Sequence, residues 1–176
     1  MLRILERIRK TGRLTEIISP DSELEVLGRE VARHVEKQFS GSLAIRQVDA
    51  GSCNGCELEI HALNNPYHDI EQFGVHFVAS PRHADVLLVT GPVSRHMETA
   101  LRRTWMAVPS PKYVIAAGQC ACDGGEFGVS YASCGAVGQV IPVDLEIPGC
   151  PPTPIQLMQG ILLLMKQAEM SDQDAG

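Results

Sequence analysis

The chain has 176 residues, of which 44% are hydrophobic and 20% are charged, and its formal net charge is −6. This length and composition suit one globular domain that can bury a core without covalent cross-links. The acidic balance argues against a nucleic-acid-binding domain, which would carry a basic surface.

The first 42 residues are predicted to form an N-terminal helical extension. One face of the first segment is apolar and the other basic, with the spacing of an amphipathic helix; the apolar residues are Leu2, Ile4, Leu5 and Ile8. Such a helix can pack on its own domain, dock on a partner or lie on an anionic membrane surface. Residues 19–22 interrupt the pattern, and a second helix is predicted at residues 22–38.

From residue 43 onward, short apolar runs alternate with helical segments. Five strands are predicted, at residues 43–48, 75–78, 84–90, 113–117 and 140–143. Helices are predicted at residues 57–63, 94–106 and 155–170. Apolar strands that alternate with helices indicate a mostly parallel sheet covered on both faces. We therefore expect a doubly wound, flavodoxin-like α/β domain over residues 43–170, followed by a flexible tail at residues 171–176.

Four of the six cysteines follow predicted strands: Cys53 and Cys56 follow the first, Cys120 the fourth and Cys150 the fifth. Ligands of an open parallel sheet bind outside the carboxyl ends of its strands, so we expect these four thiols to meet at one edge. The other two, Cys122 and Cys134, are interpreted as structural thiols. Because Cys122 lies two residues from Cys120, it is the rival candidate for that place.

Several chemistries use clustered thiols. The first ten residues lack the apolar core of a signal peptide, which favours a reducing compartment and metal ligation over disulfides. Four thiolates can hold an iron–sulfur cluster or a structural zinc ion. Zinc sites usually draw on two close pairs, whereas here one close pair is joined by two lone cysteines, and the four are spread over about a hundred residues. This spacing favours iron–sulfur.

The segments around these cysteines resemble the small subunit of nickel–iron hydrogenases. The resemblance is to the energy-converting, membrane-associated group that includes the formate-hydrogenlyase and carbon-monoxide-induced enzymes. It rests on DAGSCNGCELE at residues 49–59, ADVLLVTGPV at 84–93, AGQCACDGG at 117–125 and PGCPPTP at 148–154. The complex I component with the terminal cluster shares the fold and the last two motifs. That component has adjacent cysteines at the first motif, whereas Asn54 and Gly55 separate the pair here, which favours hydrogenase.

This resemblance implies that one proximal 4Fe–4S cluster is held by Cys53, Cys56, Cys120 and Cys150. It also implies that the chain carries no catalytic residue, because H2 chemistry takes place on a separate large subunit. Electrons would pass between that subunit and ferredoxin-like subunits, in a complex with membrane-embedded partners at the cytoplasmic face. No cysteine follows Cys150, so one cluster is the maximum that we expect.

Two other functions stay open from the sequence. One is the component of a complex I-type quinone oxidoreductase that carries the terminal 4Fe–4S cluster. The other is a zinc-stabilised interaction module without redox chemistry. Glu57, directly after the cysteine pair, is either a capping or solvated charge or a buried carboxylate at a partner interface.

Overall fold

The computed structural model of the chain describes residues 2–12 and 22–174. The α-helices in these residues are α1 (Leu2–Thr11), α2 (Ser22–Phe39), α3 (Gly55–Leu63), α4 (Arg95–Ala107), α5 (Gln119–Asp123) and α6 (Pro154–Asp174). The strands are β1 (Leu43–Asp49), β2 (Val75–Phe77), β3 (Val86–Thr90), β4 (Val93–Ser94), β5 (Tyr113–Ala117), β6 (Ser133–Gly135) and β7 (Leu145–Ile147). Short 3-10 helices lie at Ile70–Phe73, Pro81–His83, Gly125–Phe127 and Val137–Gln139.

Five strands form one parallel sheet in the order β2-β1-β3-β5-β7. Counting only these strands, the order along the sheet is second, first, third, fourth, fifth, which is the flavodoxin-like arrangement. All five residues of β3 are buried, as expected for a central parallel strand covered on both faces. The predicted doubly wound α/β fold is thus confirmed.

Each face of the sheet has its own hydrophobic core. On one face, α2, α3 and α6 contribute buried residues such as Val31, Ile60 and Ile161. On the other face, α4 and α5 contribute Leu101 and Ala121. Helices on both faces leave the strand ends as the open edge of the domain, which is where a ligand can bind.

The fifth parallel strand lies later in the chain than predicted. The apolar run at residues 140–143 does not pair with the sheet, and β7 at Leu145–Ile147 takes its place beside β5. Val140 and Ile141 are buried in the second core instead, and the Val140 carbonyl accepts a hydrogen bond of 2.7 Å from Arg102 Nη1. Pro142 within the run has no N–H to donate to a sheet ladder, which explains the preference for core packing.

A small antiparallel pair, β4 and β6, was not predicted. Val93 pairs with Gly135 across this ladder, and Cys134, expected away from any strand end, lies within β6. Val93 of β4 and Cys134 of β6 are buried in the second core together with Leu101 of α4.

Helix α2 packs against the α/β domain, although the sequence placed it in an extension. Its residues Leu24, Val31 and Val35 are buried in the same core as α6, and Gln38 Nε2 donates a hydrogen bond of 2.9 Å to the Met165 carbonyl. The predicted break at residues 19–22 lies almost wholly outside the described residues. The last helix continues to Asp174, through most of the predicted tail.

Candidate metal centre

The register of the sheet aligns the strand ends that precede the cysteines. Asp49 pairs with Thr90, Thr90 with Ala117, and Ala117 with Ile147. Cys120 follows Ala117 by three residues and Cys150 follows Ile147 by three residues. Because these partners lie side by side, the two loops leave the sheet at the same level, and the turn after Asp49 joins them.

All four predicted cysteines line one pocket at this edge; they are Cys53, Cys56, Cys120 and Cys150. Cys53 and Cys150 are exposed, whereas Cys56 and Cys120 are partly buried. The pocket therefore has an inner side formed by one pair of thiols and an outer side, open to solvent, formed by the other.

Two glycines leave room for the inner sulfur atoms. A Cβ atom at Gly118 would lie 2.6 Å from Cys56 Sγ, and one at Gly125 would lie 2.7 Å from Cys120 Sγ. Both residues have positive φ angles, 92° and 53°, which residues other than glycine rarely adopt. Side chains at these positions would occupy the space beside the thiols.

Backbone hydrogen bonds connect the loops of Cys120 and Cys150. The Gly118 N–H donates to the Ile147 carbonyl and the Gln119 N–H to the Gly149 carbonyl, each at 2.8 Å. These bonds continue the β5–β7 ladder past its end. The relative positions of the two cysteines are thus fixed by the sheet.

Two aspartates stabilise the turns. Asp49 Oδ1 accepts hydrogen bonds of 2.8 Å from the N–H groups of Gly51 and Ser52. Asp123 accepts the Gly125 N–H and the Gln119 amide, and these bonds hold the pKa of its carboxyl below the usual range. Both carboxylates support the loop geometry from outside the pocket.

Glu57 is buried beside the pocket. Only 5% of the residue is exposed; its Oε2 accepts a hydrogen bond of 2.6 Å from Ser52 Oγ, and its Oε1 accepts one from Thr90 Oγ1. The Ser52 hydroxyl accepts in turn from the Asn54 N–H at 3.0 Å. The carboxylate therefore ties the cysteine turn to the end of β3, and a solvated charge, one of the two sequence interpretations, is wrong.

Sequence reasoning missed Ser52 and Thr90 as the partners of Glu57. Ser52 lies within the first cysteine motif, and Thr90 is the last residue of an otherwise apolar strand. A lone hydroxyl at the end of a buried strand is a signal that could have identified the second partner, because a buried hydroxyl requires a hydrogen-bonding group.

The thiols influence one another electrostatically. Burial raises the pKa of Cys56 to about 12, with further increases from Glu57 and from the other three thiols of the pocket. Burial is also the main cause of the raised pKa of Cys120, and the charges of Cys150 and Cys53 raise that pKa further. Four thiolates in this pocket repel one another, so all four ionise together only around a cationic centre.

The remaining two cysteines do not line the pocket. Cys122 Sγ points to the Ala116 carbonyl at 3.6 Å, and burial raises the pKa of its thiol to about 11. Cys134 is buried in the second core and donates to Glu98 Oε2 at 3.4 Å. Cys134 thus lies in the second core and Cys122 packs against it.

Four thiols are a donor set that either a 4Fe–4S cluster or a structural zinc ion can use. A zinc ion requires its sulfur ligands to converge at about 2.3 Å. The four thiols surround one pocket. A 4Fe–4S cluster places irons and sulfides between its thiolates, so the thiolates need not converge on one point.

Comparison with known proteins agrees with the motifs. The family model described as NADH ubiquinone oxidoreductase, 20 Kd subunit, matches residues 53–164. Formate hydrogenlyase subunit 7 of Escherichia coli (strain K12) is 44% identical over 129 residues, covering 73% of this chain and 51% of that protein. The probable membrane-bound hydrogenase subunit mbhJ of Pyrococcus furiosus is 40% identical over 147 residues, covering 84% and 87%.

A solved structure supports the same relationship. In the structure of the membrane-bound sulfane sulfur reductase (MBS), an archaeal respiratory membrane complex, one chain matches with a TM-score of 0.64 and 34% sequence identity. The match covers 78% of this chain and 75% of that chain. The chain spans about half the length of the formate hydrogenlyase relative. Together these matches confirm the resemblance predicted from the four sequence motifs.

Proposed function

Because the chain belongs to the family of the NADH ubiquinone oxidoreductase 20 Kd subunit, and is thus a subunit of an oxidoreductase, we propose that it transfers electrons within a membrane-associated nickel–iron hydrogenase complex. The proposed cofactor is one proximal 4Fe–4S cluster. Its ligands are proposed to be Cys53, Cys56, Cys120 and Cys150.

One observation carries this proposal: four thiols from three separate loops line a single pocket at the carboxyl edge of the sheet. Gly118 and Gly125 leave room beside the inner sulfurs. A site for a single zinc ion would not need an open space between its ligands. We therefore favour the cluster over the zinc-stabilised module.

When bound, a 4Fe–4S cluster supplies one-electron chemistry at a potential that depends on hydrogen bonds, burial and nearby charge. The chain provides burial and a nearby charge. Cys56 and Cys120 form the partly buried inner side of the pocket. Glu57 adds a buried carboxylate next to Cys56. Cys53 and Cys150 form the exposed side, where a partner subunit can approach closely enough for electron transfer.

The partners are proposed from the relatives. One relative is named as a formate hydrogenlyase subunit and another as a probable membrane-bound hydrogenase subunit, and the Cys53–Cys56 spacing matches the hydrogenase motif. We infer a large subunit with the nickel–iron centre, a ferredoxin-like iron–sulfur subunit and membrane-embedded subunits. None of the helices in the described residues is long and apolar enough to cross a bilayer. The chain is proposed to sit peripherally, at the cytoplasmic face.

A second candidate is the terminal-cluster component of a complex I-type quinone oxidoreductase, with the same pocket holding the terminal cluster. The description of the matching family model favours it. The same pocket could serve either candidate, so the two candidates differ in their partner subunits.

The test is to purify the complex that contains this chain anaerobically from its native cells, and to measure nickel and H2-dependent viologen reduction. We expect stoichiometric nickel and H2-dependent activity. Electron transfer to the physiological acceptor should be lost in a Cys150→Ser strain and retained in a Cys134→Ser strain. A complex that lacks nickel and reduces quinone would establish the second candidate and overturn the first.

A further inference from the structure

Helix α1 has an apolar face that the described part of the protein leaves uncovered. Ile4 and Ile8 are 64% and 60% exposed, and every other described side chain of α1 is exposed as well. Residues four positions apart lie on the same face of a helix. The two isoleucines therefore form an apolar strip that takes no part in either core of the domain.

Basic residues surround this strip. Residues 1–12 contain four basic residues and one acidic residue, in a chain whose net charge is −6. The side chains of Arg7, Arg9 and Lys10 are exposed, and no ion pair among the described residues engages them. Residues 1–12 are thus net positive in a chain that is net negative. Their basic side chains can interact with an external anionic surface.

We propose that α1 lies on an anionic lipid bilayer, with Ile4 and Ile8 in the headgroup region and the basic side chains on the phosphates. This inference goes beyond the proposed electron transfer and does not depend on it. Apolar residues on one face and arginine or lysine on the other are typical of interfacial helices. Each basic residue near an anionic leaflet adds to the attraction.

The dimensions of α1 agree with this occupant. A helix of ten residues is about 15 Å long, and a helix this short is marginal in water by itself. A lipid surface stabilises it without requiring a shape-matched groove. The alternative seat within the chain is the groove between α2 and α6, which is lined by residues that include Glu23, Val26, Glu30 and Ile155.

The experiment is flotation of the full chain with vesicles of phosphatidylcholine alone, or of an equimolar mixture with phosphatidylglycerol, at low and high salt. We expect at least about tenfold more protein on the anionic vesicles, and an effect that weakens at high salt. The variant R7E/K10E should bind anionic vesicles no better than it binds neutral ones. The variant I4S/I8S should lose most of its binding to anionic vesicles.

The matched control is R82E/R103E, which makes the same change in charge at two exposed positions outside α1. It should float like the unmodified chain. Trypsin should cut at Arg7, Arg9 and Lys10 in the free protein, and anionic vesicles should slow this cleavage. Binding that survives R7E/K10E, the same loss in the control, or protection from trypsin without vesicles would each overturn the proposal.

Discussion

Glu57 is the residue at which charge and geometry act together in this pocket. Its carboxylate accepts hydrogen bonds from two hydroxyl groups, one on the cysteine turn and one at the end of β3. Its charge also contributes to the raised pKa of Cys56. A fixed negative charge next to a redox centre disfavours the uptake of an electron, so Glu57 is expected to lower the reduction potential of a bound cluster.

The variant Glu57→Gln tests this effect. Removing the charge should raise the midpoint potential on the order of 50 mV, which corresponds to roughly 1 kcal/mol of coulombic energy. The measurement is a redox titration followed by electron paramagnetic resonance. Thr90→Val removes one hydrogen bond and keeps the charge, so its shift should be smaller. Equal shifts in the two variants would assign the effect to packing and not to charge.

Gly125 and Gly128 form a matched pair for the space around the inner sulfurs. Their φ angles are similar, 53° and 50°, but a Cβ at Gly125 lies 2.7 Å from Cys120 Sγ, whereas one at Gly128 has no atom within 4 Å. Gly125→Ala should therefore lose most of its iron, and Gly128→Ala should retain it, as measured by iron content per chain. Equal iron in both variants would mean that the pocket tolerates a methyl group there.

Cys150 and Cys134 separate ligands from structural thiols. Cys150→Ser replaces an exposed thiol of the pocket and should lose or convert the cluster, as measured by the visible absorption and the iron content. Cys134→Ser changes a buried thiol that bonds to Glu98 and should leave the iron content intact. Loss of iron in the second variant would show that the proposed ligand set is wrong.

At the scale of elements, polar side chains of α2 and α6 meet at the interface between the two helices. Lys37 Nζ lies 2.8 Å from Glu169 Oε1, and His34 Nδ1 lies 3.5 Å from Oε2. Lys37 is the main cause of the lowered pKa of the Glu169 carboxyl. Because the folded-state pKa lies below the unfolded value, the ionised carboxylate stabilises the fold above the ordinary pKa. This contribution disappears as the pH falls through the folded value.

The variant Glu169→Gln should therefore have a lower free energy of unfolding than the unmodified chain at pH 7. The difference should shrink as the pH falls below 4.5, the ordinary pKa of the group. Urea unfolding at several pH values measures this. Lys37→Met should destabilise the unmodified chain more than it destabilises the Glu169→Gln variant. A difference that does not vary with pH would contradict the role assigned to the charge.

The sequence predicted most elements because their patterns were local. Strand β5 lies at the residues predicted for it, since an apolar run between turn residues specifies a buried strand. The strand expected at residues 140–143 was wrong, because its apolar residues indicate burial but do not show whether a sheet or a core covers them. The three residues of β7 include the exposed Glu146, and only the ladder beside β5 identifies them as a strand.

At the scale of the whole molecule, the sheet order brings together what the chain keeps apart. The cysteines span about a hundred residues in sequence, and the parallel register delivers their loops to one edge. For Cys53, Cys56 and Cys120 that convergence could be predicted from the strand ends, whereas the strand before Cys150 is β7 and not the predicted run at residues 140–143. The Glu57 hydrogen bonds could not be predicted, because Thr90 lies 33 residues away and only the folded register places its hydroxyl next to the carboxylate.

The central claim is that four cysteines hold one 4Fe–4S cluster. The most direct test is to purify the full chain anaerobically, reconstitute it with iron and sulfide, and measure iron, acid-labile sulfide and zinc together with electron paramagnetic resonance of the reduced protein. We predict about four irons and about four sulfides per chain, with a signal from one reduced cluster. A colourless protein with one zinc ion and no sulfide would contradict the account.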